Sequence, residues 1–328
     1  MAPAAVGVRV VTHPGNGPGD AQRWNGLSLE KFVSNNGIDL WTESFGDPND
    51  PAILLVMGSM SQGVVWPDGL VGRLAAAGFH VIRYDHRDTG RSTAVDFAAS
   101  PYSWADIRDD IGRVLDGYGL ASAHIVGHSA GGLLGQWLAV EAPERVETLT
   151  AIGSSPLGGR EGKVLGAALM GEEPPAGSLP PPNQAFIDHY RAAMTATPPS
   201  TRREQIDAQV AEARLLHGPE LPFDEEAERV QQERLLDRAV NPASVVNHRL
   251  AWMADPDFEP AGVLDRVKAP TLVVEGTCEP CKPGHGALIA EQIPGARLLM
   301  IEGMGHTLPA EVHAELAEAI TAHVTGRM

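Results

Sequence analysis

His124-Ile125-Val126-Gly127-His128-Ser129-Ala130-Gly131-Gly132-Leu133-Leu134-Gly135-Gln136-Trp137-Leu138-Ala139 is the stretch that decides how this chain is read. An apolar run enters a G-x-S-x-G pentapeptide, and a helix-forming run leaves it. In that context the pentapeptide marks a nucleophile elbow, a serine held on a sharp strand-to-helix turn. Such a turn strains the serine backbone, so its neighbours must be small. The helix that follows aims its first N–H groups at an oxygen that becomes negative during reaction.

Working outward, short apolar runs alternate with helical ones. Ala52-Ile53-Leu54-Leu55-Val56-Met57 reads as a buried strand, and Leu70 to Ala77 as a helix. His80 to Tyr84 is the next strand and ends in the loop Asp85-His86-Arg87-Asp88-Thr89-Gly90-Arg91-Ser92. Ile107, Ile111, Val114 and Leu115 recur at helical spacing, and Glu147 to Ile152 is a strand. Before this core, Gly37 to Gly46 is expected as an opening strand, and residues 1–28, rich in Gly and Pro, as an irregular lead-in. Continuous apolar strands alternating with amphipathic helices imply a mostly parallel sheet covered by helices on both faces.

The pattern breaks from Ser154 to about Pro260, where Pro180-Pro181-Pro182 and charged helical runs replace strands. About a hundred residues is too long for a loop, so 154–260 is expected to be a helical cap inserted into a core of 29–153 and 261–328. Thr271 to Val274, a helix from His285, Arg297 to Ile301 and a helix from Pro309 then complete the core. A sheet interrupted by a helical insertion, with a serine at a strand end before it, resembles the α/β-hydrolase fold with a cap.

A serine hydroxyl needs a histidine base, itself oriented by a carboxylate. In that fold the chain order is serine, acid, histidine, with the acid after the first strand beyond the insertion and the histidine after the last strand. Only His306, in Gly303-Met304-Gly305-His306, stands just after the last strand. The acid is expected at Glu279, in Glu275-Gly276-Thr277-Cys278-Glu279-Pro280-Cys281, with Asp255, Asp257 and Glu275 as alternatives. The oxyanion donors are expected to be the amides of Ala130 and of Ser59, in Met57-Gly58-Ser59-Met60-Ser61.

Cys278 and Cys281 form a lone C-x-x-C without the second pair that a zinc site wants, so they are expected to pack the acid loop or to form a reversible disulfide. No metal and no organic cofactor is expected. The insertion offers Phe186, Tyr190, Phe223, Trp252, Met170, Met194 and Met253 to a bulky apolar ligand, although cap core is the better role for most of them.

The formal net charge of −17 argues against nucleic acid or an anionic membrane as a partner. No apolar stretch reaches the roughly 20 residues of a membrane span. The N-terminus lacks a basic signal-peptide start, and two cysteines make no secreted disulfide framework. A cytoplasmic protein is expected, with homo-oligomerisation left open.

Glu43-Ser44-Phe45-Gly46-Asp47-Pro48, Leu54-Leu55-Val56-Met57-Gly58, the run from Val81 to Ser92 and Gly303-Met304-Gly305-His306 are similar to the aclacinomycin methylesterase group of polyketide-tailoring hydrolases. The resemblance spans about 38–155 and 262–325 and is weak through the cap. It implies Ser129 as nucleophile, His306 as base and Ser59 with Ala130 as oxyanion donors. Glu279 stands where that group has aspartate, and His128 replaces an apolar residue before the serine. The expected activity is cleavage of a carboxylic ester of a bulky polyketide-like molecule through an acyl-enzyme. A lactonase or C–C bond hydrolase using the same residues is the alternative, and a non-catalytic ligand-binding member of the fold is the rival of another class.

Overall fold

The computed structural model describes residues 8–12, 26–173, 177–254 and 258–327. Nine strands lie among them: β1 (Arg9–Thr12), β2 (Leu27–Asn35), β3 (Ile38–Phe45), β4 (Ala52–Val56), β5 (His80–Tyr84), β6 (Ala123–His128), β7 (Val146–Ile152), β8 (Thr271–Gly276) and β9 (Arg297–Ile301). They form one sheet in the order β1-β2-β3-β5-β4-β6-β7-β8-β9. From β5 to β9 every pairing is parallel, and β1, β2 and β3 join antiparallel at one edge.

The alternation of side chains along each strand feeds two apolar layers. Leu54, Val56 and Ile125 face one layer and meet Ile107 and Ile111 of α2 (Trp104–Gly117), Leu133 of α3 (Ala130–Glu141) and Ile289 of α9 (His285–Gln292). Ile53, Leu55 and Val126 face the other and meet Leu70 and Leu74 of α1 (Asp68–Ala76) and Leu316 and Ile320 of α10 (His313–Val324). Both faces of the central strands are dry, which is why they read as unbroken apolar runs.

Among the described residues, five α-helices lie between β7 and β8: α4 (Glu161–Met170), α5 (Gln184–Thr195), α6 (Arg202–His217), α7 (Glu225–Arg238) and α8 (Val246–Ala254). Polar contacts tie them to several loops of the sheet, among them the loop after β5. Arg238, at the end of α7, bonds buried Asp85 at 2.7 Å and lies over the Trp41 ring. Ser244 and Asn247 donate to the carbonyls of Asp88 and Val95.

The N-terminal edge differs from expectation. Arg9–Thr12, within the stretch expected to be irregular, is a strand paired with β2, as the β-branched run Val10-Val11-Thr12 allows. The expected opening strand is the second arm of a hairpin whose tip is Asn36-Gly37, both at positive φ (50° and 82°), the backbone that a two-residue hairpin turn requires. No helix among the described residues is long and apolar enough to cross a membrane.

Candidate active site

β6 ends at His128, and Ser129 turns the chain into α3 with φ 55° and ψ −124°. Positive φ at a residue with a side chain is strained, and strain of this kind collects at functional positions. The glycines on either side make the turn feasible. A Cβ on Gly127 would lie 2.3 Å from Gly131 O, and one on Gly131 2.0 Å from Val56 O. The Ser129 amide donates to Ile152 O at 2.8 Å, fixing the elbow to the end of β7. The Ser129 side chain does not cap the helix it precedes, so its hydroxyl is not tied up in local structure.

The loops after β8 and β9 bring Glu279 and His306 together. Glu279 Oε2 is 2.8 Å from His306 Nδ1, and both residues are buried. Glu279 Oε1 accepts three hydrogen bonds from its own tight turn: the Cys281 amide at 3.0 Å, the Cys281 thiol at 3.0 Å and the Lys282 amide at 3.2 Å. Burial pushes this carboxyl up. The His306 charge and hydrogen bond, with the Cys281 donors, outweigh it and hold the group down at about 2. Glu279 is therefore ionised, and with Nδ1 committed to it, Nε2 is the His306 nitrogen left to handle a proton.

His128 links this pair to the elbow. Its ring lies 4.8 Å from the His306 ring, and its Nε2–H donates to His306 O at 2.8 Å. Burial, and then the His306 charge, push His128 down to about 3, so it stays neutral. Helix α6 holds the same loop from the other side. The His306 amide donates to Leu216 O at 2.6 Å at the end of α6, and His217 Nδ1 meets Thr307 Oγ1 at 3.1 Å.

The loop after β4 reaches the serine. A Cβ on Gly58 would lie 3.2 Å from Ser129 Cβ and 3.6 Å from its Oγ, so the backbone leading into Ser59 passes directly beside the hydroxyl. Ala130, as the first residue of α3, presents its amide at the helix N-terminus.

The alternative acids separate from this cluster. Both Glu275 oxygens accept amides at the start of α9, from Gly284 at 2.6 Å and Gly286 at 2.5 Å, and burial raises its pKa. Asp255 and Asp257 lie outside the described residues. Cys278 and Cys281 are free thiols. The donor role of Cys281 escaped the sequence reading, although a thiol two residues after an acid in a proline-bounded turn was a usable signal.

Of the apolar side chains expected in the cap, Met170, Met194 and Met253 are 64%, 57% and 67% exposed. Trp252 packs edge-to-face on Trp104 of α2 and on Phe258, against the apolar layer of the sheet. Among the described residues, Glu279, Cys281 and His306 have donor atoms within 4.8 Å of one another, close enough to share a metal ion. Those atoms already hydrogen-bond one another, the pattern of a proton-handling group.

The family model for the α/β hydrolase fold matches residues 51–311. The chain is similar to rhodomycin D methylesterase DnrP of Streptomyces peucetius, 41% identical over 297 residues that cover 89% of this chain and 97% of that protein. Rhodomycin D methylesterase DauP of Streptomyces sp. (strain C5) is 39% identical over 294 residues, with coverage of 89% and 97%. Among solved structures, the enol-lactonase from Burkholderia xenovorans LB400 superposes with a TM-score of 0.64 at 21% identity, covering 90% of this chain and 99% of that one. That last likeness speaks for the fold alone. With sheet order, elbow and matched span in agreement, the chain belongs to the α/β hydrolase fold family.

Proposed function

We propose that this protein is a serine-dependent carboxylic ester hydrolase acting on a methyl ester of a bulky polyketide-like small molecule. Ser129 is the nucleophile, His306 the base, Glu279 the orienting acid, and the Ser59 and Ala130 amides the oxyanion donors. The observation that carries this reading is the 2.8 Å Glu279–His306 pair beside the strained serine elbow. The substrate class rests on the two methylesterase relatives, which align along nearly their whole length.

In this mechanism His306 Nε2 takes the Ser129 proton as Oγ attacks the ester carbonyl. The negative oxygen that forms is met by the two amides. Collapse expels the alcohol, which receives the proton from His306. Water, activated by the same imidazole, then attacks the acyl-enzyme and frees Ser129 and the acid. Glu279 holds the imidazole in the productive tautomer and stabilises its charged form. The division into a core (29–153 and 261–328) and a cap (154–260) is part of the same reading, supported by the five α-helices described between β7 and β8. The cytoplasm is the proposed compartment, supported by the −17 net charge and two unpaired thiols.

Labelling with a fluorophosphonate probe tests the mechanism. Wild-type protein is expected to label and Ser129→Ala is not; an unlabelled wild type overturns the reading. A panel of methyl esters, lactones and β-diketones then tests the scissile group, with fastest turnover expected on methyl esters.

A further inference from the structure

We propose that His248, a cap residue 188 positions away in sequence from the loop it meets, is a positioning residue for the oxyanion hole. The inference rests on the Ser59 amide being an oxyanion donor. His248 lies on α8, is 1% exposed, and bridges two main-chain groups of the core. The Met60 amide is 2.9 Å from its Nδ1, and its Nε2 is 2.8 Å from Arg87 O. An amide can only donate and a carbonyl can only accept. The pair of contacts therefore fixes one neutral tautomer, with the proton on Nε2 and the lone pair on Nδ1. Burial, and then the charge of His86, disfavour the imidazolium, so the acceptor is preserved down to about pH 3.

The Met60 amide needs a partner of this kind. Met60 has φ 62°, a left-handed conformation that a side chain disfavours, in a turn closed by the Ser61 amide on Gly58 O at 3.3 Å. On the other side of the same turn, His86 Nε2 is 2.8 Å from Met57 O. The Ser59 N–H belongs to the peptide between Gly58 and Ser59. The peptide before that one is pinned through Met57 O by His86, and the one after it through the Met60 N–H by His248. Two imidazoles thus bracket the plane that carries the oxyanion donor, and one of them comes from the cap. His86 and His248 pack edge-to-face at 5.9 Å, and the Trp104 ring edge closes the other side of His248 at 6.2 Å. The donor plane is held before a substrate arrives, which is the condition for electrostatic stabilisation to act at full strength.

Three substitutions separate positioning from cap anchorage. His248→Phe fills the space and removes both bonds. His248→Asn places an acceptor where Nδ1 stands and restores the Met60 contact alone. His248→Gln reaches the Nε2 position and restores the Arg87 contact alone. Thermal melting with each variant confirms the folded state, and kcat and KM on a methyl ester are read with the fluorophosphonate labelling rate. Loss of a whole oxyanion donor costs about 10²–10³ in kcat, so misorientation in the Phe variant is expected to lower kcat and labelling at least about tenfold, with KM within about threefold. Asn is expected to recover most of that loss and Gln little of it. Equal kcat in Phe and wild type, or recovery by Gln and not Asn, overturns the proposal. If wild-type protein itself fails to label, the serine hydrolase reading is what falls.

Discussion

Replacing Glu279 by Gln changes one oxygen for an NH2 and almost nothing in shape, yet the surroundings force which way the amide must face. On the Oε1 side stand two backbone N–H groups and a thiol, from Cys281 and Lys282, all donors. The amide oxygen must take that side, because turning the NH2 toward them would leave two buried N–H groups without acceptors, at about 1–3 kcal/mol each. About 2–6 kcal/mol therefore favours the NH2 facing His306 Nδ1. That nitrogen must then become an acceptor, which moves the imidazole proton to Nε2, the position from which Ser129 would have to be deprotonated. The variant folds with the wrong tautomer locked in. A factor of about 10⁴ in kcat follows a comparable tautomer change in a serine protease, and about 10³–10⁴ is expected here, with KM nearly unchanged. Steady-state kinetics on a methyl ester and the fluorophosphonate labelling rate both read the effect. A kcat within tenfold of wild type would show that the three-donor clamp does not set the amide, or that another carboxylate orients His306.

Other outcomes follow from the same geometry. His128, held down at about 3 by burial and by the His306 charge, stays neutral in the folded chain, whereas the unfolded chain binds a proton there below about 6.5. Between pH 6.5 and 4.5 the unfolded state therefore holds more protons, and stability falls with pH by about 1.4 kcal/mol per unit on this account. His128→Gln, which keeps a donor for His306 O, should flatten the slope of unfolding free energy against pH by that amount; an unaltered slope refutes it. Gly153→Ala places a methyl 3.2 Å from Glu279 Oε2 and 3.3 Å from His306 Nδ1 at φ 54°. A fall of about tenfold in kcat is expected, equivalent to about 1.4 kcal/mol, and full activity would mean the pair tolerates displacement. Arg238→Met removes the cation paired with the fully buried Asp85 carboxylate, which keeps only the Gly63 and Arg91 amides as donors, and should cost about 3 kcal/mol in urea unfolding. A loss below about 1 kcal/mol would place the cap's anchorage elsewhere.

The parallel half of the sheet was legible because strands buried on both faces must be continuously apolar, and the elbow because its glycines are sterically required. The antiparallel edge was harder: β2 (Leu27–Asn35) mixes buried and exposed positions with Lys31 and Glu30, and only the Asn36-Gly37 turn announces it. Glu279 could be placed by loop position, since chain order constrains it, but the direction of its second oxygen depends on how the Cys281 turn closes. The contacts of the helices between β7 and β8 with the proposed site were invisible. Leu216 holds His306 by a main-chain hydrogen bond, and neither His248, on the largely apolar α8, nor Arg238, on the polar α7, carries a local mark of its partner. Their partners lie 90, 188 and 153 residues away, distances that no local pattern spans.

The grip of α6 on the histidine loop bears on how substrate range can be changed in such a scaffold. Exchanging the cap for that of a relative is an obvious engineering route, since helices between two strands look like an interchangeable module. Here the end of α6 supplies the carbonyl that holds the His306 amide at 2.6 Å. A transplanted cap lacking that terminus would alter the acid–base geometry together with the pocket, and lost turnover would be mistaken for poor recognition. Diversification is better confined to faces such as that of α5, with the Leu216-His217 terminus kept as a fixed seam between old and new sequence.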